Sequence, residues 1–371
     1  MKSLLSLLFT LLTINAFCQN SPTPTHSATG GRLAHSDKVS KDSLLDLLDQ
    51  NHKMMGTVTL TRAGRVIYNK AIGYSNLTLS NASFNDTVTR YRIGSITKVF
   101  TATMIFQLIE EGKLSLGTPL SQFFPEIPNA ARITIDLMLT HHSGLYNLTD
   151  DSTYPKWAYQ PITEVQLLEK LRQYPPAFEP GAKGDYSNTN FVLLGMIIEK
   201  LTHGAYEAAL NHRIVFKAHL LHTSVGNRID PANDEAYSYS RADSTWKQER
   251  ETDMSLPGGA GSIISTAQDI DLFLTALFNG QLISDSSLTI MLAQKDGFGH
   301  GIFPASLFGR MSYGHTGGID GFRSITGYFR DDQVALTILT NASDLPVNTI
   351  RLDILDILYH QPFQAPDSSQ R

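Results

Sequence analysis

Strand-like patterns lie only toward the two ends of this chain, and that placement narrows the folds open to it more than any other feature. Thr57–Arg62 and Arg65–Asn69 alternate apolar and polar residues around Ala63-Gly64, the pattern of a β-hairpin. The next strand patterns after it, Arg323–Arg330 and Val334–Asn341 joined at Asp331-Asp332, come about 250 residues later. From Pro119 to Gly301 the chain reads mostly as helical segments separated by Pro/Gly loops, with Ile162–Tyr174, Asn190–Leu201 and Thr266–Asn279 the clearest. Lys41–Met55, carrying Leu44, Leu45, Leu47 and Leu48, and Asn348–Tyr359 read as helices outside that region. A lone hairpin is barely stable in water, so the two ends must share one sheet. The expected class is α+β: an antiparallel sheet built from N- and C-terminal segments and flanked by helices, with an inserted all-helical domain and a cleft between the two. The folded domain is placed at 38–361, its sheet part at about 38–94 and 302–361 and its helical part at about 95–301.

The first eighteen residues read as an export signal. Lys2 supplies the positive start, Leu4–Ile14 a short apolar stretch, and Ala16-Phe17-Cys18 a cleavage site. Residues 19–37, rich in Ser, Thr, Pro, Gly and His, read as a linker, and 362–371 as a tail. Cys18 is the only cysteine, so cleavage after it leaves no disulfide, no thiolate metal site and no cysteine nucleophile. The expected location is the periplasm or the medium. Acylation of Cys18 as a lipoprotein is the alternative, disfavoured by the bulk of Phe17. Nothing later has eighteen uninterrupted apolar residues, so no stable membrane insertion is expected once the signal is removed. The net charge of -5, with both signs interspersed, gives no basic surface for nucleic acid.

Within this frame, Ser95-Ile96-Thr97-Lys98 opens a long apolar run, Ile96–Gly112, that reads as a buried helix. Residues i and i+3 share a helix face, which sets the lysine amine beside the serine hydroxyl. Burial lowers a lysine pKa toward that of a useful base. The same spacing recurs at Ser244-Thr245-Trp246-Lys247, but in a polar segment with no apolar helix behind it, so only the first copy is a candidate. His141 and His142 are adjacent and lack the spacing of a metal motif. Gly-x-Ser-x-Gly, the nucleophile turn of α/β-hydrolases, is absent. No cofactor or metal is implied.

Four motifs follow in order: Arg92-Ile93-Gly94-Ser95-Ile96-Thr97-Lys98, Leu139-Thr140-His141-His142-Ser143-Gly144-Leu145, Pro180-Gly181 with Tyr186-Ser187-Asn188, and Gly314-His315-Thr316-Gly317-Gly318. Together they resemble the serine β-lactamase and penicillin-binding-protein family, in particular its class C and DD-carboxypeptidase-like branch, over about Lys41 to Tyr359. The resemblance implies a β-lactamase/transpeptidase-like fold. It makes Ser95 the acylated nucleophile, Lys98 its proton partner, and Tyr186 a phenol that shuttles protons. Asn188 would orient substrate and lysine, and Thr316 would bind a substrate carboxylate. The backbone N–H groups of Ser95 and Gly318 would form the oxyanion hole, with Gly317 letting substrate approach the strand. His141 would have a structural role near the site entrance. Tyr74-Ser75-Asn76 repeats the Tyr-x-Asn spacing but ends a strand ahead of the nucleophile, so Tyr186 is preferred. His315 replaces the commoner lysine. Since free histidine titrates near about 6.5, carboxylate binding is expected to tighten as the pH falls.

The expected function is a secreted serine hydrolase working through a Ser95 acyl-enzyme on D-alanyl peptides or β-lactam-like amides. Its partners would be a small-molecule or peptidoglycan-peptide substrate. Hydrolysis of small esters is the enzymatic alternative, and a silent peptidoglycan-binding module the alternative outside catalysis.

Overall fold

A computed structural model describes residues 35–359 except 79, 81 and 244. The expected signal segment with Cys18, the tail and Ser244 lie outside the described residues, as does all of the linker but 35–37. Six strands form the central sheet: β1 (Met54–Arg62), β2 (Arg65–Ile72), β3 (Phe303–Leu307), β4 (Arg310–Ile319), β5 (Phe322–Phe329) and β6 (Val334–Ser343). Their order is β3-β4-β5-β6-β1-β2, every neighbour antiparallel. The pairing of β6 with β1, Ile338 opposite Val58 and Leu336 opposite Leu60, joins the two ends of the chain.

Five helices matter most: α1 (His35–Gln50), α2 (Thr97–Glu110), α3 (Asn188–Thr202), α4 (Ala267–Phe278) and α5 (Val347–Leu358). Leu44 and Leu48 of α1 and Ile350 and Ile354 of α5 pack with Val58, Leu60, Ile325 and Ile338 on one sheet face. The other face meets α4, and behind it lies α2, with Phe100 stacked on Phe273 at 3.7 Å between ring centres. Residues Thr97 to Leu108 of α2 are all buried, as expected for a helix that is apolar nearly all round.

Local chemistry sets the ends of these elements. Helix α1 stops at Gln50, short of the expected Met55, because Met54 begins β1. His52 turns left-handed (φ 51°), with the Lys53 N–H returning to the Leu48 carbonyl at 2.8 Å. Ala63 and Gly64 both have positive φ (48° and 75°), the geometry that fits a two-residue hairpin to the twist of its strands. Alternation in β1 suggests one covered face. Both are covered, with every residue from Met54 to Thr61 buried, because α4 lies against the threonine side.

Two features were not legible. Strand β3 contains Pro304, which is tolerated because β3 is the sheet edge. Strand β4, which carries His315, begins at Arg310, ahead of the expected return of strands after His315, and its three glycines weaken its β signal. The inserted region is helical in bulk but also holds the short strands Ile263–Ser265 and Ser224–Val225, which form a small sheet with Tyr91–Arg92 just ahead of it. A hairpin of Tyr239–Ala242 and Thr245–Gln248 lies there as well. Runs of two to four residues carry no readable period.

Candidate active site

The site forms where the start of α2 meets β4. Gly94 sits at φ 53°, and a Cβ there would lie 2.7 Å from the Gly318 nitrogen, so only glycine lets this turn press against the strand. Behind it, the buried Arg92 guanidinium contacts Asp320 at 2.9 Å, at the turn between β4 and β5, and Glu251 at 3.2 Å. This pins the segment before Ser95 to the sheet. Gly94–Ile96 form a 3₁₀ turn that runs into α2 at Thr97. In such a turn, side chains three apart eclipse, which brings Lys98 directly over Ser95.

Ser95 Oγ, half-buried, has two close partners. Lys98 Nζ lies 2.9 Å away, and the Tyr186 hydroxyl donates to it at 2.9 Å. Lys98 is fully buried, and its amine also donates to Asn188 Oδ1 and the Ala260 carbonyl, each at 2.8 Å. These two oxygens can only accept. A neutral amine has two N–H bonds and one lone pair, so satisfying both aims the lone pair at Ser95 Oγ. Burial pushes the Lys98 pKa well below its usual value, in the direction this arrangement needs. Burial pushes Tyr186 up, against a smaller lowering by its bond to Ser95, so the phenol keeps its proton. Ser95 is thus placed to give a proton to Lys98 and accept one from Tyr186.

Strand β4 supplies the other wall. β3 pairs with it only from Arg310 to Gly314, so beyond Gly314 it presents an edge that β3 does not cover. Thr316 and Gly318 are exposed on that stretch, and Gly317 is half-buried against Ile93. His315 points inward and is buried. Its Nδ1 lies 2.5 Å from the Thr316 carbonyl, and its Nε2 has no partner among the described residues. Burial, with Lys98 nearby, pushes the His315 pKa down to about 3. This corrects the expectation of titration near neutrality: a buried imidazole beside an amine is uncharged across the physiological range.

All eight residues singled out from the sequence are placed here: Ser95, Lys98, Tyr186 and Asn188 form one hydrogen-bonded cluster, and His315 to Gly318 form the strand beside it. Tyr74 instead stacks on Phe84 in a short hairpin, and Lys247 is exposed on another. His142 bonds the Thr140 carbonyl (2.6 Å) and Asp296 (3.0 Å).

Sequence reasoning missed two contributors. Ala260 offers only its carbonyl, so its side chain gives no signal. The neighbouring Pro257-Gly258-Gly259-Ala260-Gly261 run was the available clue, since a Cβ on Gly259 would lie 2.6 Å from the Phe191 carbonyl of α3. Asn147 accepts from both the Asn188 backbone (2.9 Å) and its Nδ2 (3.2 Å), which fixes the amide that faces Lys98. It lies forty-one residues from Asn188 in the chain, and no spacing rule connects them.

A family model described as beta-lactamase matches residues 42–360. The chain belongs to the beta-lactamase family. It is 26% identical to PbpX of Bacillus subtilis, provisionally named a penicillin-binding protein, over 90% of this chain and 89% of that one. Among solved structures it resembles D-amino acid amidase from Ochrobactrum anthropi SV3, with 26% identity, a TM-score of 0.77, and coverage of 88% and 100% of the two chains. It also resembles a D-stereospecific amidohydrolase from a Streptomyces species, with 28% identity, a TM-score of 0.71, and coverage of 82% and 94%. The protein is a serine hydrolase of the beta-lactamase and penicillin-binding-protein family, and its antiparallel sheet flanked by helices is the fold of those relatives.

Proposed function

We propose that this protein hydrolyses amides of D-configured amino acids, D-alanyl peptides or β-lactam-like amides, through an acyl-enzyme on Ser95, after export directed by residues 1–18. The observation that carries the reading is the double contact on Ser95 Oγ, 2.9 Å from both the Lys98 amine and the Tyr186 hydroxyl. Lys98 takes the hydroxyl proton as Ser95 attacks the carbonyl, and the oxyanion forms against the Ser95 and Gly318 N–H groups. Tyr186 passes its proton to the leaving nitrogen, and the proton that Lys98 took from Ser95 makes good the loss, so both groups end acylation as they began it. Water then enters by the same relay in reverse. The amide and stereochemical parts of the reading draw on the D-amino acid amidase and D-stereospecific amidohydrolase likeness. A silent binding module has no need of a lysine buried against a serine, its pKa lowered by that burial.

The state of His315 favours a second reading within the same chemistry. An uncharged imidazole gives a terminal carboxylate no fixed positive partner, which favours D-amino acid amides or esters without one over D-alanyl-D-alanine ends. Intact mass spectrometry after incubation with a reporter β-lactam, a small ester, a D-amino acid amide and a D-Ala-D-Ala peptide tests both. The expected result is acylation at Ser95 that disappears in Ser95→Ala. Acylation that persists in that variant would sink the mechanism, and the preferred donor chooses between the readings.

A further inference from the structure

His141 lies in the second motif and has no part in the proton relay, yet several features tie it to Tyr186. It is fully buried and holds a left-handed backbone (φ 58°), a strained conformation for a residue with a Cβ. That turn aims its ring inward, where it stacks on the Tyr186 ring at 4.4 Å and 29°. The residues on either side of Tyr186 are bonded to it as well. The Asp185 N–H donates to the His141 carbonyl (2.9 Å), and the Ser187 N–H donates to His141 Nδ1 (3.1 Å).

These contacts fix its tautomer. Because Nδ1 receives an N–H, it carries no proton, so the proton of the ring sits on Nε2. His315 is the mirror case: its Nδ1 faces a carbonyl and must donate, which leaves Nε2 bare in the uncharged ring. Both Nε2 atoms are buried and lack a hydrogen-bond partner among the described residues. The two imidazoles belong to one closed circuit of rings. Around it the centres are separated by 4.4 Å (Tyr186–His141), 5.4 Å (His141–Phe298), 5.5 Å (Phe298–Phe303), 4.7 Å (Phe303–His315) and 6.3 Å (His315–Tyr186).

We propose that His141 is a positioning residue which, together with His315 in the opposite tautomer, brackets the Tyr186 ring and holds its hydroxyl on Ser95 Oγ. The proposal rests on the reading that Tyr186 carries protons for Ser95. Burial, with Lys98, His315 and His142 nearby, pushes the His141 pKa well below its usual value. Burial thus pushes the titratable groups beside Tyr186, the two imidazoles and the Lys98 amine, toward their uncharged forms, while it also holds the phenol protonated.

Two substitutions separate ring from hydrogen bond. His141→Asn tolerates the left-handed backbone but removes the stacked ring, whereas His141→Phe keeps a ring and removes the acceptor for Ser187. The readout is the rate at which a reporter β-lactam, whose leaving group is a nitrogen, labels Ser95, followed by intact mass, with thermal unfolding as the control for folding. Each variant should label about 10- to 100-fold more slowly, the loss expected of a displaced catalytic group. In a Tyr186→Phe background the same substitutions should cost nothing further, since they act through the phenol. Labelling of a folded variant at the wild-type rate, or losses that multiply with Tyr186→Phe, would overturn the proposal. Nitrogen-15 NMR of the unmodified protein gives an independent measurement should the variants not fold. Between pH 6 and 8 it should find His141 protonated on Nε2 alone and His315 on Nδ1 alone, and two matching tautomers or a charged ring would refute the bracket. If the wild type itself is not labelled at Ser95, the acyl-enzyme reading fails while the tautomer measurement stands.

Discussion

Lys98→Met keeps the length of the apolar stem, removes the amine, and affects activity and stability in ways that can be calculated separately. For activity, the loss of a general base costs about 10²- to 10⁴-fold, and more where residues act as a unit. For stability, the Ala260 carbonyl and Asn188 Oδ1 both lose a partner seated 2.8 Å away. A stranded buried acceptor costs about 1–3 kcal/mol, which applies in full to the buried Ala260 carbonyl and only in part to the half-buried Asn188 Oδ1. An opposing effect comes from proton linkage. Burial lowers the native Lys98 pKa, so over a range of pH the folded lysine is neutral while the unfolded one, with a pKa of about 10.4, is charged. The unfolded chain then binds more protons, and wild-type stability rises with pH across that window, by up to about 1.4 kcal/mol per pH unit, before levelling off above it. Lys98→Met lacks this dependence. The wild-type advantage should therefore be largest near pH 10 and shrink steadily as the pH falls. Urea unfolding of both proteins from pH 6 to 10 measures it, since every other titrating group cancels in the difference. Burst acylation by a reporter β-lactam supplies the kinetic half, and in the wild type it should fall on the acid side as Lys98 gains its proton. Parallel stability curves would mean that Lys98 is charged in the native state, and the lone-pair argument for the base would fail.

Tyr186→Phe should lower the acylation rate by about 10²- to 10⁴-fold with little change in KM, measured by stopped-flow with a chromogenic substrate. Because the phenol pKa is raised, the wild-type rate should also show no alkaline loss from this residue up to pH 10. For His315, KM for a carboxylated substrate should stay flat between pH 5 and 8, because a group depressed to about 3 does not titrate there. Tightening toward pH 5 that is confined to carboxylated substrates and absent in His315→Lys would restore the carboxylate role expected from the sequence. Asp271, fully buried on α4 facing Thr61 and Thr337, has its pKa raised well above the usual carboxylate range by burial. The folded state holds a proton that the unfolded chain releases above about pH 3.9, so stability should decline as pH rises from there through the native pKa. Asp271→Asn should remove that decline in urea titrations, and an unchanged slope would show the carboxyl to be ionised in the fold.

The motif cluster was readable because each motif is short and local. Ser95 and Lys98 lie three apart, Tyr186 and Asn188 two apart, and His315 to Gly318 are consecutive. Their order along the chain was enough for the family resemblance, which the family match then bore out. The same local logic placed the β1–β2 hairpin, α2, α3, α4 and the pairing of the two chain ends. It failed at β3, where a proline is tolerated only because the strand is an edge, and at the two- to four-residue strands of the inserted region.

The sequence by itself determined which side chains this protein can bring to a reaction and which helix face carries its serine and lysine, because helix period and turn chemistry act over a few residues. Only the tertiary structure decided their charge states. Whether Lys98 is a base or a cation depends on the Ala260 carbonyl, 162 residues away, and on the burial around it. Whether His315 holds a charge depends on burial and on Lys98 across the site. A pKa is set by the solvent excluded and the dipoles gathered around a group, and these come from segments distant in the chain that meet only when it folds.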